Sequence, residues 1–219
     1  MPGERAVEAL PALIPRAFAL RMLGQRKGGR PLRASAMELF EQEQAAALEL
    51  VAARAVLRAS AGGLPGSRHV DPDLPLVAAV CTIGPALEQR VTELAARGET
   101  ARALVLDAIG SAAAEGAAES SNALACRMAV PAGLAPRRRR SPGYGRWDVR
   151  EQRALFAFVA PGEIGVELTE SCMMTPRKSV SFIVPLEAGA AGSSPARRCA
   201  RCGLEDCPYR EDDVDGGAP

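Results

Sequence analysis

The sequence predicts an α+β fold, an antiparallel sheet with surrounding helices, and three observations carry that prediction. Leu74 to Gly84 is a short apolar run in which Val77, Val80 and Ile83 are β-branched, which reads as a buried strand rather than a helix. Ile164, Val166 and Leu168 alternate with Gly165, Glu167 and Thr169, and Val180, Phe182 and Val184 alternate with Ser179, Ser181 and Ile183. A period of two is that of strands with two unlike faces. Between these stretches lie segments whose apolar residues recur at helical spacing.

Taken in order, residues 1 to 34 read as a short amphipathic segment bearing Val7, Leu10, Ile14 and Phe18, followed by a basic, Gly-rich turn from Gln25 to Arg33. The first helix is expected from about 35 to 60. Ser35 and Glu38 form a capping box, and Met37, Phe40, Leu48, Val51 and Ala55 repeat until Gly62-Gly63. The Leu74–Gly84 strand comes next. Pro85 then suits the first turn of a helix carrying Leu87, Val91 and Leu94, which Gly98 stops. Another helix runs from Glu99 or Thr100 to about Cys126. Its centre, Gly110 to Glu119, is nearly all small residues, which lets a backbone or a ligand come close. After a Pro- and Arg-rich connection from Pro131 to Pro142, Asp148 and Glu151 can cap a short helix bearing Leu155, Phe156 and Val159, terminated by Pro161-Gly162. The two alternating segments then predict a long hairpin from 164 to 185, turning through Cys172 to Lys178 and lying in the same sheet as the 75–83 strand. From Glu187 the composition shifts to Ala, Gly, Ser and Pro, a linker ahead of a cysteine-rich tail.

Composition narrows the function. The chain has 219 residues, 27 Lys+Arg against 26 Asp+Glu and 47% apolar residues, enough for one globular core with a small appendage. All cations but Lys27 and Lys178 are arginine and 42 residues are alanine, so arginine content alone says little, and no strongly basic arm points to nucleic acid. The longest apolar stretch free of charge, Leu74 to Leu87, is 14 residues and is broken by Pro75, Gly84 and Pro85, too short to span a bilayer. Charges and prolines interrupt the first twenty residues where a secretory signal would need an apolar core. A cytoplasmic setting is therefore expected, with the six cysteines reduced or metal-bound.

Most of the polar motifs have an ordinary reading on their own. Arg137 to Arg140 would be a solvated loop, Glu115 and Glu119 exposed helix acids, Thr169 to Ser171 a polar strand end, and Met173-Met174 core filling. What changes the reading is their order. Arg139-Arg140-Ser141-Pro142-Gly143-Tyr144 is followed by Leu168-Thr169-Glu170-Ser171, then Met174-Thr175-Pro176 and Ser179-Val180-Ser181. Together these resemble the activation (AdoMet-binding) domain of cobalamin-dependent methionine synthase, over roughly Val77 to Pro185. The helix around Glu115 also resembles that family's acidic helix.

The resemblance implies a methionine synthase activation domain-like fold over residues 1–187, with 1–70 a divergent helical part, and a linker and tail over 188–219. It implies a bound S-adenosylmethionine (AdoMet) contacted by Glu115, Arg139, Ser141, Pro142, Gly143, Tyr144, Thr169, Glu170 and Ser171. Arginine can hold the ligand carboxylate through two parallel hydrogen bonds, and Glu115 suits the ammonium. Asp107, Ser111, Glu115 and Glu119, at four-residue steps, would line one side of the helix. No side chain is assigned as catalytic. The implied role is reactivation, in which AdoMet methylates cob(II)alamin on a partner as an electron arrives from a donor such as flavodoxin or ferredoxin. The chain lacks an Asp-x-His-x-x-Gly cobalamin motif and so would act in trans, as an accessory component of a cobalamin-binding methionine synthase subunit or a related corrinoid protein. The family's N-terminal aspartate has no counterpart in residues 1–70, and Phe182-Ile-Val-Pro185 replaces its tyrosine-bearing segment after Ser-Val-Ser.

In the tail, Cys199, Cys202 and Cys207 are spaced so that one turn can present two thiolates and a third follows closely, which suits an iron-sulfur cluster or zinc. A redox-active dithiol and inert thiols are the competing readings. At the level of the whole chain, two other classes stay open: a metal- or cluster-tailed adaptor for a corrinoid protein without AdoMet chemistry, and a stand-alone AdoMet methyltransferase.

Overall fold

The structure is a computed structural model that describes residues 3–25 and 31–188. The predicted tail site at Cys199, Cys202 and Cys207, and most of the Gln25–Arg33 turn, lie outside the described residues. The main sheet has five strands in the order β1-β2-β3-β7-β4, all neighbours antiparallel. These are β1 (Arg5–Ala9), β2 (Arg54–Ser60), β3 (Leu76–Thr82), β7 (Ser179–Ala188) and β4 (Leu134–Pro136). Around it pack α1 (Arg16–Met22), α2 (Ala34–Leu50), α3 (Ala86–Ala96), the long α4 (Thr100–Ala129) and α5 (Gln152–Val159). A separate two-stranded ribbon is made by β5 (Glu167–Leu168) and β6 (Met174–Thr175).

The central strand follows directly from its composition. Every residue of β3 is buried because both faces of the sheet are covered, and a strand buried on both sides has no reason to alternate. On one face Leu57, Val77, Ala79, Cys81, Phe182 and Val184 pack against α1 to α4; on the other Val56, Leu76, Ala78, Val80 and Ile183 pack against Trp147, Leu155, Val159, Ile164 and Val166. The α4 face and the α5 face thus hold separate apolar clusters, each closed by burial worth roughly 25 cal/mol per Å².

The helices bounded by Pro85, Gly98 and Thr100 form as the sequence predicts, with Gly98 at φ +77° ending the turn between α3 and α4. The N-terminal third departs from expectation. It is not a purely helical part: β1 and β2 are strands, and the predicted 35–60 helix ends at Leu50. Ala55, Val56 and Leu57 pair with Cys81, Val80 and Ala79 on one side and with Glu8, Val7 and Ala6 on the other. Cross-strand burial outweighs the helix propensity of Ala, Leu and Arg, which is a preference of only tenths of a kcal/mol per residue. The Ser35–Glu38 capping box is not made either. Arg33 is the N-cap, no side chain caps the helix, and Ser35 lies inside its first turn.

The C-terminal strands also close differently. β5 pairs with β6, Glu167 opposite Thr175 and Leu168 opposite Met174, so the hairpin is short and stands apart from the main sheet. Only β7 continues beside β3, with Phe182 opposite Ala79 and Val184 opposite Val77. Of the two acids expected to cap α5, Asp148 accepts a hydrogen bond from the Arg150 amide at 2.8 Å, opening a 3-10 turn before the helix. Glu151 occupies the N-cap position of α5 without capping it.

The small residues of α4 admit neighbouring protein. A Cβ on Gly116 would lie 2.2 Å from the Leu13 carbonyl oxygen, which belongs to the backbone between β1 and α1, and one on Gly110 would meet the Leu87 Cδ2 at 2.4 Å. Alanine gains about 1 kcal/mol over glycine in a helix, and overpacking against an unyielding backbone costs about 1–3 kcal/mol. Gly116→Ala is therefore expected to lower stability, while Gly110→Ala, which meets only side-chain ends, is expected to be near neutral. Paired urea midpoints measure the difference, and a stabilised Gly116→Ala would show that the two segments are not in contact.

Candidate functional site

The arginine-rich connection is the link between α4 and the sheet. Leu134, Ala135 and Pro136 pair with Ala188, Glu187 and Leu186, the Arg137 amide donates to the Pro185 carbonyl at 2.7 Å, and Arg140 and Ile183 exchange backbone bonds of 2.9 and 2.8 Å. Residues 134–140 thus run along the edge of β7. Ile183 faces α5, so the alternation of an extended chain turns Arg139 to the α4 side. There its guanidinium lies over the Phe182 ring, 5.3 Å from the centroid, and is ion-paired to Glu115 and, at 2.9 Å, to Glu119. The Arg139 and Glu115 side chains are 10% and 16% exposed, so each charge depends on the other for solvation that water does not supply.

The four-residue stripe on α4 is divided between two cations. Arg139 takes Glu115 and Glu119, and the Lys178 ammonium takes the other end, 2.8 Å from Asp107 Oδ1, 2.8 Å from Ser111 Oγ and 3.1 Å from the Asp107 carbonyl. The Lys178 amide also donates to Glu88 of α3, so this residue, just before β7, is tied to both α3 and α4. Sequence reasoning placed Lys178 inside a motif without giving it a task. Its being one of two lysines among 27 cations was the available signal.

Beneath the same face lies Cys81. Burial pushes its thiol up to about 11, against the opposing effects of a hydrogen bond with Ser121, the Arg139 charge and the Val180 carbonyl. A neutral, buried thiol is a poor nucleophile. Brief alkylation of the native protein at pH 8 is expected to leave Cys81 unmodified, and Cys172, only 3% exposed, equally protected. Peptide mapping before and after denaturation reads this, and rapid native labelling of Cys81 would contradict the packing.

The remaining predicted site residues are tied to Trp147 and α5. In the turn after Arg140, Gly143 has φ +88° and donates its amide to the Trp147 carbonyl at 2.8 Å, while the Tyr144 amide donates to Ser141 at 3.3 Å. Pro142 is buried and Tyr144 is 78% exposed. Thr169 and Ser171 hydroxyls bond each other at 2.9 Å in the β5–β6 loop, and Thr169 Oγ1 accepts from the Met173 amide at 3.0 Å. α5 holds that loop. Arg153 donates to the Glu170 carbonyl and, at 3.2 Å, to the Cys172 sulfur, and Gln152 donates to the Cys172 carbonyl at 3.2 Å. The Ser181 hydroxyl in turn donates to Gln152 Oε1 at 3.2 Å, which connects the Ser-Val-Ser motif to the Thr169–Ser171 loop.

The structure therefore brings Arg139 and Glu115 into direct contact, while the Ser141–Tyr144 turn is bonded to Trp147 and α5 holds the Thr169–Ser171 loop through Glu170 and Cys172. Chemically, the first pair offers one guanidinium and one carboxylate side by side, the complement of an amino-acid zwitterion. Among the described residues no group of three or more His, Cys, Asp and Glu could hold a metal ion, and no helix is long and apolar enough to cross a membrane.

The chain has an α+β fold like that of the MetH reactivation domain. Among the solved structures it resembles is the MetH reactivation domain bound to AdoHcy, with a TM-score of 0.66 over 87% of this chain and 82% of that one, at 13% sequence identity. No family profile matches the sequence, and no curated protein does.

Proposed function

We propose that this chain binds AdoMet and serves in trans as the reactivation subunit of a cobalamin-dependent methionine synthase or a related corrinoid methyltransferase. One observation carries the reading: a chain with the ordered Arg-x-x-Pro-Gly-Tyr and Leu-Thr-Glu-Ser motifs adopts the fold of a reactivation domain whose solved structure holds AdoHcy, the demethylated form of AdoMet. The residues fit the amino-acid end of such a ligand. Arg139 would receive its carboxylate and Glu115 its ammonium, each exchanging the other's charge for the ligand's, while Glu119 stays available to Arg139. Ser141, Pro142, Gly143 and Tyr144 would supply backbone groups and a ring, and Thr169, Glu170 and Ser171 polar contacts. When bound, AdoMet would supply the methyl group and the partner's cobalamin would receive it. This chain's part is to orient the donor and exclude water.

Calorimetric titration of the full chain with AdoMet and AdoHcy tests the reading. Saturable binding of both, with a cobalamin-bearing partner recovered on co-purification from the native source, is the expected result; absence of binding to either would leave the metal-tailed adaptor as the better description. The electron is proposed to come from a flavodoxin- or ferredoxin-like donor in the cytoplasm, with the tail thiolates of Cys199, Cys202 and Cys207 holding an iron-sulfur cluster or zinc. Metal binding should release protons and should fail on substitution of any one of the three. Iron, zinc and sulfide analysis of anaerobically purified protein distinguishes cluster from zinc, and metal-free protein whose tail thiols all alkylate would refute the tail site.

A further inference from the structure

We propose that Glu151 is a positioning residue for the AdoMet site, its carboxylate clasping the loop after β2 to the turn that carries Pro142, Gly143 and Tyr144. The proposal rests on the reading of that turn as an AdoMet contact. Glu151 Oε2 accepts from the Ser67 hydroxyl at 2.5 Å, the Trp147 indole nitrogen at 3.0 Å and the His69 amide at 3.3 Å, and Oε1 accepts from the Arg68 amide at 2.9 Å. Four donors from two chain segments more than 70 residues apart thus converge on one carboxylate at the head of α5.

Each of the two segments is internally closed and is joined to the other through this carboxylate. The Ser67 hydroxyl accepts from the amides of His69 at 3.2 Å and Val70 at 3.1 Å, closing this part of the loop into a small turn. On the other side, Gly143 and Tyr144 are bonded through their backbone to Trp147, at 2.8 and 3.2 Å, so wherever the indole is held the Pro-Gly-Tyr turn is held with it. The His69 ring stacks on the Trp147 indole, with centroids 5.5 Å apart and planes inclined by 11°. The indole itself is 3% exposed, sunk in the α5-face cluster. Burial pushes the Glu151 carboxyl up, but the hydrogen bonds from Ser67, Arg68, Trp147 and His69 outweigh it and leave its pKa below the ordinary value, so at neutral pH it accepts as the anion. A carboxylate with this set of donors fixes the turn before the ligand arrives, and a ligand that meets an ordered turn loses less free energy to ordering.

The test uses the full chain and its single tryptophan, Trp147, as the reporter. Glu151→Ala is expected to weaken AdoMet about tenfold, the cost of ordering a freed side chain and turn on binding. It should also shift Trp147 emission to the red and diminish its response to AdoMet. Glu151→Gln keeps one acceptor for Ser67 and Trp147 but turns an amide toward the Arg68 N–H, and should fall between. Leu94→Ala, a core truncation in α3 against the α4 face, controls for stability: it should lower the melting temperature while sparing AdoMet affinity and emission. If Glu151→Ala does not fold, Glu151→Gln and Ser67→Ala carry the same comparison with graded losses. Wild-type affinity in the Glu151 variants, or a loss no larger than that in Leu94→Ala, overturns the proposal while leaving the AdoMet reading intact. Failure of the unmodified chain to bind AdoMet defeats that reading and the proposal with it.

Discussion

Arg139→Ala is expected to lower both stability and AdoMet affinity, and to do so far more than Arg137→Ala. The Arg139 side chain is 10% exposed and its removal leaves Glu115, 16% exposed, as a charge without its guanidinium. Breaking a buried pair from one side costs about 3–5 kcal/mol, and the half-exposed Glu119 beside it argues for the lower end of that range. Arg137 is more than half exposed and pairs with Glu187 at the surface, where such contacts are worth about 0–1 kcal/mol. For the ligand, losing a hydrogen-bonded contact to a charged group should cost about 1.5–3 kcal/mol, roughly ten- to a hundredfold in affinity. The double variant Arg139→Ala with Glu115→Gln separates the two effects. It removes the stranded charge and should recover most of the stability, yet it should not recover binding. Guanidinium melts and calorimetry measure the pair, and equal losses in Arg137→Ala would reduce the site to a diffuse basic loop.

Phe182→Ala is expected to be the more damaging core substitution. Phe182 is fully buried in β7, sits opposite Ala79 of β3 and carries the Arg139 guanidinium on its ring. Truncating a buried phenylalanine costs about 3–5 kcal/mol, and the cation–π contact adds about 0.5–2 kcal/mol in a partly desolvated setting. Phe182→Leu should recover most of the volume but not the ring, and so should isolate the cation–π part. In that variant a melting temperature close to wild type together with weakened AdoMet binding is expected, since Arg139 loses the surface that orients it. A Phe182→Ala protein of undiminished stability would mean that β7 does not hold the centre of the sheet.

By itself the sequence determined the elements whose signals are local. The apolar, β-branched 74–84 run became β3, Pro85 and Gly98 bounded α3, and the period-two run at 179–184 became the long strand β7. The order of motifs around Arg139 and Thr169 was enough to indicate the fold that the MetH reactivation domain shares. Only the tertiary structure decided three further things. Ala55, Val56 and Leu57 belong to a strand because β1 and β3 lie on either side of them, a fact of long-range pairing that no window of sequence contains. Glu151, expected to cap a helix, instead joins Ser67, Arg68, His69 and Trp147, since a carboxylate binds whichever donors the fold brings to it. The partners of the α4 acids were decided in the same way: Lys178 and Arg139, 39 positions apart in the chain, divide the stripe because β7 and its edge pass beside that helix. Spacing along a helix specifies which residues share a face, whereas the charge that faces them depends on how the sheet is threaded.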